Sequence, residues 1–326
     1  MIGQKTLTTG ECDRGKNDPG KNSLCDPSGP AAAGAKLFYI PDFDNSRVLG
    51  FKSIPKKNGA SAKFVLGQTN FSSMNTGVSS TSFEDCSAVA TDGTHLFVND
   101  FGNSRVLIWN KLPSKTNTPA DLVVGQPNLT SNKATTTQSG LNLPETGLFV
   151  VSGRLLVSDR NNNRVMIWNS IPTTNGANAD VVVGQINFTS AVTDVTQINL
   201  DEPEGLWSNG TRLVVADFMN NRVMIWNTIP TPNGAPADVV VGQADFTSLD
   251  SPEPPTSQSL SRPGGVASDG TRLFVEDSGN NRILVFNTFP TSNNPTADIV
   301  LGEPDFSHND ANGGSAIVSP CWSTSA

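Results

Sequence analysis

The residues best suited to chemistry are an aspartate, an asparagine and an arginine that recur together five times along the chain. In each copy the asparagine follows the aspartate by three residues and the arginine follows it by five. A carboxylate beside an arginine could hold a calcium ion or transfer a proton. The fifteen positions are Asp42, Asn45, Arg47, Asp100, Asn103, Arg105, Asp159, Asn162, Arg164, Asp217, Asn220, Arg222, Asp277, Asn280 and Arg282.

The regular recurrence of this motif favours a structural role over a catalytic one. The steps between successive aspartates are 58, 59, 58 and 60 residues. A residue that every copy needs at the same place usually satisfies the backbone of every copy. The aspartate can accept N–H groups of the turn that follows it, and the asparagine can take the left-handed turn conformation. The arginine can pair with the aspartate or with carbonyls of a neighbouring copy, so we predict no catalytic, cofactor-binding or metal-binding residue.

Each motif lies in a repeat of about 59 residues with four short strand-like runs. In the fifth copy these runs are 265–268, 272–276, 282–286 and 298–301. The run after each arginine ends in an aromatic residue, which we expect to pack between copies. Those aromatic residues are Phe51, Trp109, Trp168, Trp226 and Phe286. Four short antiparallel strands in each repeat predict an all-β fold, a β-propeller of five four-stranded blades.

The repeat resembles that of the NHL family of β-propellers. Residues 215–223 carry the family's pattern of a strand ending in Asp217, a turn, Asn220 and Arg222. An upstream Pro-x-Gly element is present at 203–206 and, shifted by one glycine, at 263–266. The resemblance implies a propeller that serves as a binding scaffold or, rarely, as a lyase. The zinc-dependent lyases use several converging histidines, whereas this chain has only His95 and His308, so the resemblance favours a scaffold.

We predict a single domain over residues 1–326. It comprises an outer strand at 1–9, a cysteine-bracketed loop at 10–30, repeats at about 31–71, 84–129, 141–188, 199–246 and 259–306, and a tail at 307–326. Residues 1–9 match the end of a repeat, and residues 315–321 resemble the first strand of a further one. A five-bladed ring would therefore have one outer strand too many. The alternative is a six-bladed ring with an incomplete sixth blade, and in either case ring closure should cover the last pair of apolar faces.

The cysteines indicate a disulfide rather than a zinc site. Cys12, Cys25, Cys86 and Cys321 lack zinc-ligand spacing, and three pairings are open. A bond between Cys12 and Cys25 across a polar loop is the one we favour, and it indicates an extracellular or cell-surface location. Three aspartates of this loop could bind Ca²⁺ weakly, but a solvated loop is the simpler interpretation and no cofactor is expected. They are Asp13, Asp18 and Asp26.

Charge limits the class of partner. The net charge of −8 argues against a nucleic-acid partner. The chain has no run of 18 apolar residues, so no membrane span is predicted. Residues 1–133 hold 14 basic and 11 acidic side chains, whereas residues 134–326 hold 8 and 19. We predict a non-enzymatic extracellular scaffold that binds a protein or ligand. The alternative is a subunit that forms head-to-tail homopolymers by donating a terminal strand. A channel-sited lyase or hydrolase is less favoured and would need channel carboxylates with shifted pKa values.

Overall fold

The computed structural model describes residues 1–6, 10–29, 32–33 and 36–311. The predicted strand at 315–321 and the end of the predicted outer strand at 1–9 lie outside these residues. The described chain forms five four-stranded antiparallel sheets, and in each sheet the four strands follow one another in sequence order. The fold is therefore a β-propeller with five blades, as the repeats predict.

The blades share one pattern, in which the first strand is innermost and the fourth is outermost. Blade one contains β1 (Ala32–Ala33), β2 (Phe38–Asp42), β3 (Arg47–Phe51) and β4 (Phe64–Leu66). Blade two contains β5 (Cys86–Thr91), β6 (Leu96–Asp100), β7 (Arg105–Trp109) and β8 (Leu122–Val124). Blade three contains β9 (Leu148–Val151), β10 (Arg154–Asp159), β11 (Arg164–Trp168) and β12 (Val181–Val183). Blade four contains β13 (Pro203–Ser208), β14 (Leu213–Asp217), β15 (Arg222–Trp226) and β16 (Val239–Val241). Blade five contains β17 (Pro263–Ser268), β18 (Leu273–Asp277), β19 (Arg282–Phe286) and β20 (Ile299–Leu301).

Helical structure among the described residues is limited to short 3-10 turns. They are Cys12–Arg14, Phe43–Asn45, Arg160–Asn162 and Ser278–Asn280. The last three lie between the second and third strands of their blades. In the described part of the chain, no helix is long and apolar enough to cross a membrane.

The core consists of apolar layers between successive blades. Valine, isoleucine and leucine side chains alternate along each strand and so reach both faces of each sheet. The aromatic residue at the end of each third strand lies in the layer shared with the preceding blade. Trp109 packs between blades one and two, and Trp168 packs between blades two and three. Trp226 and Phe286 occupy the next two layers, whereas Phe51 packs against Ile2 and Leu24.

Among the described residues no segment closes the ring after blade five, whereas closure was expected to cover the last apolar faces. We call the side of a blade that faces the next blade along the chain its forward face. In blades one to four this face is buried by the following blade. On blade five Ile283, Ile299 and Leu301 are exposed instead. No described segment packs over them.

Residues 1–6 take the place of an outer strand without being assigned as one. Leu24 packs over Gly3 as Leu200 packs over Gly184 in a complete blade. The side-chain amide of Gln4 donates to the carbonyl of Glu11, seven residues later. The repeat glutamines make the same bond with the same spacing. No strand of the described residues pairs with this segment, so it is not part of a described sheet.

The glutamine after each fourth strand closes the turn that leaves the blade. In blade four the Gln243 Nε2 donates to the carbonyls of Asn221 and Asp250 at 2.8 and 2.7 Å. Its Oε1 accepts the Asp250 N–H at 2.9 Å. Blade five has Glu303 at this position, and both carboxylate oxygens are buried with no hydrogen-bond partner among the described residues. A carboxylate cannot donate to the two carbonyls, so this turn is the least satisfied of the five.

We predict that Glu303→Gln stabilises the protein. The restored amide can donate to carbonyls that the carboxylate leaves unpaired, which should raise the free energy of unfolding by about 1 kcal/mol at pH 7. Urea denaturation of the two proteins measures the difference. The reverse change in blade four, Gln243→Glu, is the matched control and should lower stability by a similar amount. An unchanged midpoint for Glu303→Gln together with a neutral Gln243→Glu would show that the turn does not depend on the amide.

Candidate functional site

The fifteen motif residues form buried polar triads, one in each blade. In blade three the Arg164 Nε lies 2.7 Å from the Asp159 Oδ2, and both side chains are fully buried. The Asn162 Nδ2 donates to the same carboxylate oxygen at 2.9 Å. The other oxygen, Oδ1, accepts the backbone N–H of Asn142 at 2.6 Å. The same Asp–Arg pairing recurs at 2.6–2.7 Å in the other four blades.

The arginine also fixes the loops on both sides of its blade. The Arg164 Nη2 donates to the carbonyls of Thr137 and Gly140, both at 3.0 Å. Its Nη1 donates to the carbonyl of Phe188 in the loop that leaves the blade. Since the aspartate and the arginine are buried and bonded in every blade, neither is placed to contact a ligand.

Two details of the predicted motif chemistry are wrong. The motif asparagine does not take the left-handed conformation, and its side chain donates a hydrogen bond to the aspartate. The following residue takes it instead, with φ between 46° and 54° at Ser46, Ser104, Asn163, Asn221 and Asn281. The aspartate does not accept N–H groups of the turn that follows it. It accepts the N–H of the segment entering the first strand, as Asp217 does from Asp201 at 2.7 Å.

The cysteine-bracketed loop is joined by a disulfide between Cys12 and Cys25. Asp13 is buried in this loop and accepts hydrogen bonds from Ser23 at 2.7 Å and from Asn45 at 3.2 Å. Among the described residues, Cys12, Cys25 and Asp44 form the one close group of three potential metal ligands, and its two sulfurs are bonded to each other. The loop aspartates at 13, 18 and 26 form no such group, and calcium binding there stays a prediction.

A cluster of three glutamates around one arginine lies beside the central axis, and we call it the axial cluster. Arg160 directly follows the motif aspartate of blade three, which places its side chain at the end of the ring where the motif turns lie. Its Nε lies 2.9 Å from the Glu145 Oε2 and 3.6 Å from the Glu204 Oε1. Its Nη2 lies 2.6 Å from the Glu202 Oε2. Glu145 precedes β9, whereas the other two glutamates belong to the start of blade four, so two adjacent first strands build the cluster.

Burial and mutual repulsion change the ionisation of the axial cluster. Burial and, to a smaller extent, the charge of Glu145 together raise the pKa of Glu204 to about 8 against the opposing effect of Arg160. Burial also raises the pKa of Glu145. Glu204 is 9% exposed, and its backbone carbonyl accepts a hydrogen bond from the Ser158 hydroxyl at 2.6 Å, whereas its carboxyl group accepts none from any described residue. Glu204 therefore holds a proton at neutral pH and has unused acceptor capacity.

Further acidic and aromatic residues continue this end of the ring across blades one and two. Burial raises the pKa values of Asp26, Asp44 and Asp85. The rings of Phe43 and Phe101 contact each other with centroids 5.8 Å apart. Phe43 and Asp44 lie in the motif turn of blade one and Phe101 lies in that of blade two, so acidic and aromatic side chains occur at this end of the ring beyond the axial cluster.

Sequence reasoning did not identify the axial cluster. Glu204 was part of the Pro-x-Gly element that indicates the fold, and Glu145 occupies the matching position in blade three. The same position is Ser87 in blade two and Gly264 in blade five, so it is not part of the constant motif. An acidic residue at a position that varies between repeats is the signal that could have identified it.

The likeness of the chain to known proteins is distant. No protein-family model and no curated protein matches the chain. Among solved structures the chain is similar to one titled "Crystal structure of Nidogen/Laminin Complex", with a TM-score of 0.48 and 15% identity. The match covers 83% of this chain and 78% of that chain. A likeness this distant says nothing of the ligand or partner of this chain.

We predict that Arg164→Lys destabilises the protein strongly. A lysine cannot bond the aspartate and the carbonyls on both sides of the blade together, and a buried ion pair broken on one side costs about 3 kcal/mol. The midpoint of thermal unfolding measures the loss. Arg154→Lys, at the partly exposed start of β10, is the control and should leave the midpoint within about one degree, because surface substitutions are usually neutral. Equal effects at both positions would contradict the structural role of the motif.

We predict that the stability of the protein falls as pH rises from about 5 to about 8. The folded-state pKa of Glu204 is about 8, above the ordinary glutamate pKa of 4.5, so the folded protein binds the proton more tightly within this window. Stability should fall by up to about 1.4 kcal/mol per pH unit there. Glu204→Gln should remove most of this slope in urea titrations at a series of pH values, whereas the exposed Asp194→Asn should keep it. A slope that survives Glu204→Gln must come from other groups.

Proposed function

We propose that this protein is a non-enzymatic β-propeller scaffold that binds a partner carrying a cationic group at the axial cluster. The observation that carries the proposal is the carboxyl group of Glu204, which is buried, accepts no hydrogen bond from any described residue and stands beside two further glutamates. Three carboxyl groups share the single guanidinium of Arg160. An ammonium or guanidinium group of a partner would supply the missing hydrogen-bond donors and a positive charge that favours the ionised form of Glu204.

The arrangement of the polar residues supports binding more than catalysis. The motif aspartates and arginines are bonded within the protein in every blade. Both histidines pair with exposed aspartates, His95 with Asp92 and His308 with Asp305. Cys86 is fully buried, and burial raises its pKa, which makes its thiol unreactive. The axial cluster is thus left with carboxylates and an arginine, which recognise charge well.

The proposal includes an NHL-type blade and an extracellular location. The constant Asp–Asn–Arg triad supports the first, since it gives each blade the same internal bonding. The disulfide between Cys12 and Cys25 supports the second, because such bonds persist in oxidising compartments. A protein or peptide with exposed lysine or arginine side chains is the partner that fits both.

A peptide array tests the binding proposal. We expect arrayed peptides containing lysine or arginine to be retained and peptides in which those residues are replaced by glutamine to be lost. For a selected peptide, Glu204→Gln and Glu145→Gln should each weaken binding about tenfold, which corresponds to about 1.4 kcal/mol. The Asp194→Asn variant should bind as the original protein does. Retention that ignores basic residues, or full affinity in both glutamine variants, would contradict the proposal.

Binding should also release a proton near neutral pH. Glu204 is protonated in the free protein, and a cation beside it favours the ionised form. Calorimetry in two buffers of different ionisation enthalpy measures the released proton, and affinity should increase between pH 6 and pH 8. Affinity that does not vary with pH would place the ligand elsewhere.

Two other functions are tested by the same proteins. Self-assembly into head-to-tail polymers is the second candidate, and the open forward face of blade five favours it. A channel-sited lyase or hydrolase is the third, because the raised pKa values of Glu145 and Glu204 are also those that a general acid needs. A turnover activity that Glu204→Gln abolishes would favour that third function over binding.

A further inference from the structure

The forward face of blade five is a further copy of an interface that the chain forms four times, and no described residue covers it. On this face Ile283, Ile299 and Leu301 are 39%, 43% and 48% exposed. The corresponding residues of blade four, Val223, Val239 and Val241, are 0%, 2% and 1% exposed because blade five covers them. Equivalent apolar side chains are thus buried on blade four and exposed on blade five. Large contiguous apolar surface of this kind marks an interaction site.

The edge of the fourth strand carries the polar part of this interface. In blade three the N–H of Val182 donates to the Asn233 Oδ1 of the next blade at 3.0 Å. The Gly234 N–H donates back to the carbonyl of Val182 at 3.1 Å. Blade four repeats both bonds from Val240 to Asn293 and Asn294. Val300 is the matching residue of blade five, and no described residue bonds its N–H or its carbonyl in this way.

The surface that complements this edge lies at the other end of the ring. Asn58 and Gly59 of blade one occupy the positions of the bonding turn, and in this chain they hold Met1. The Met1 nitrogen donates to the Asn58 Oδ1 at 2.8 Å, and the Gly59 N–H donates to the Met1 carbonyl at 3.0 Å. Met1 therefore makes the two bonds that Val300 lacks. We call this turn, with the apolar side chains of Phe51 and Val65 beside it, the acceptor surface.

Charge favours the meeting of these two ends. Residues 1–133 carry a net +3 (14 basic, 11 acidic) and residues 134–326 carry a net −11 (8 basic, 19 acidic), which together give −8. The exposed Lys56 and Lys57 directly precede Asn58 in the bonding turn. The exposed Asp298 lies two residues before Val300, and Glu276 is exposed on the same blade. Opposite charges would therefore face each other across the contact.

We propose that the forward face of blade five docks onto the acceptor surface of a second copy of this chain, where β20 replaces residues 1–6 of that copy. This inference rests on the self-assembly function and specifies its interface. The contact joins two different surfaces, so each added copy exposes a new forward face and the assembly grows as an open string. The segment 1–6 competes for the acceptor surface and limits growth at low protein concentration.

Sedimentation velocity over a range of protein concentrations tests the proposal. The original protein should sediment faster as concentration rises, and raised salt should reverse the change. Leu301→Asp should weaken association more than tenfold, because it places a charge in the apolar contact. Ile186→Asp is the matched control, since Ile186 is exposed to a similar degree on another blade. Deletion of residues 1–6 should strengthen association by removing the competitor.

Mixing two defective proteins gives the sharper result. Leu301→Asp keeps its acceptor surface, whereas the double variant Lys56→Glu/Lys57→Glu keeps its forward face. Each alone should remain monomeric, and an equimolar mixture should stop at dimers. The axial cluster is untouched in both, so retention of basic peptides should persist whether or not association occurs.

Three outcomes would overturn the inference. The first is a monomer at every concentration even after residues 1–6 are deleted. The second is an equal loss of association in Leu301→Asp and Ile186→Asp. The third is a monomeric original protein that begins to associate when residues 312–326 are removed, since that result would show that the chain's own last residues cover the forward face.

Discussion

The buried pair of the motif aspartate and arginine is the interaction on which the rest of the propeller depends. Two charges taken out of water are costly unless every donor and acceptor finds a partner. Here the aspartate accepts from the asparagine, the arginine and the entering loop, and the arginine also donates to loops on both sides of its blade. One ion pair thus fixes the turn between the middle strands, the entry to the first strand and the exit from the fourth. The cost of burying the two charges is offset only when the aspartate, the asparagine and the arginine are all present, so every blade needs the complete triad.

This constant frame leaves the function to positions that vary from blade to blade. The triads fix the backbone of two kinds of position at the end of the ring where the motif turns lie: the residue after the motif aspartate and the residues that enter the first strand. The side chains at these positions take no part in the triads. Arg160 and Glu204 occupy such positions. Their closeness follows from the packing of blade three against blade four, which brings glutamates from two repeats around one arginine. The field of that cluster, with its raised pKa values, suits a cationic partner.

The second consequence of the frame is that the ring has two unlike ends. Each blade has an apolar forward face and a fourth-strand edge that can hydrogen-bond to the turn of the next blade. Between blades one and five this exchange is not completed by described residues, so an apolar face and an unpaired edge remain on blade five. Residues 1–6 supply the hydrogen bonds to the turn of blade one, through Met1, but do not cover blade five. An array whose last unit lacks its neighbour presents the same surface that holds its interior together.

The sequence by itself determined the strand order, the five blades and the residues of the triad. Each of these is written in a local pattern that recurs at an almost constant interval, as the aspartates at 42, 100, 159, 217 and 277 show. Repetition also indicated that the triad is structural, although it misplaced the left-handed residue by one position. Only the tertiary structure decided which varying side chains meet at the axis and that no described segment covers the forward face of blade five. Glu145 and Glu204 lie 59 residues apart, and no local pattern encodes their convergence on Arg160, because that contact depends on how two sheets pack around a common axis.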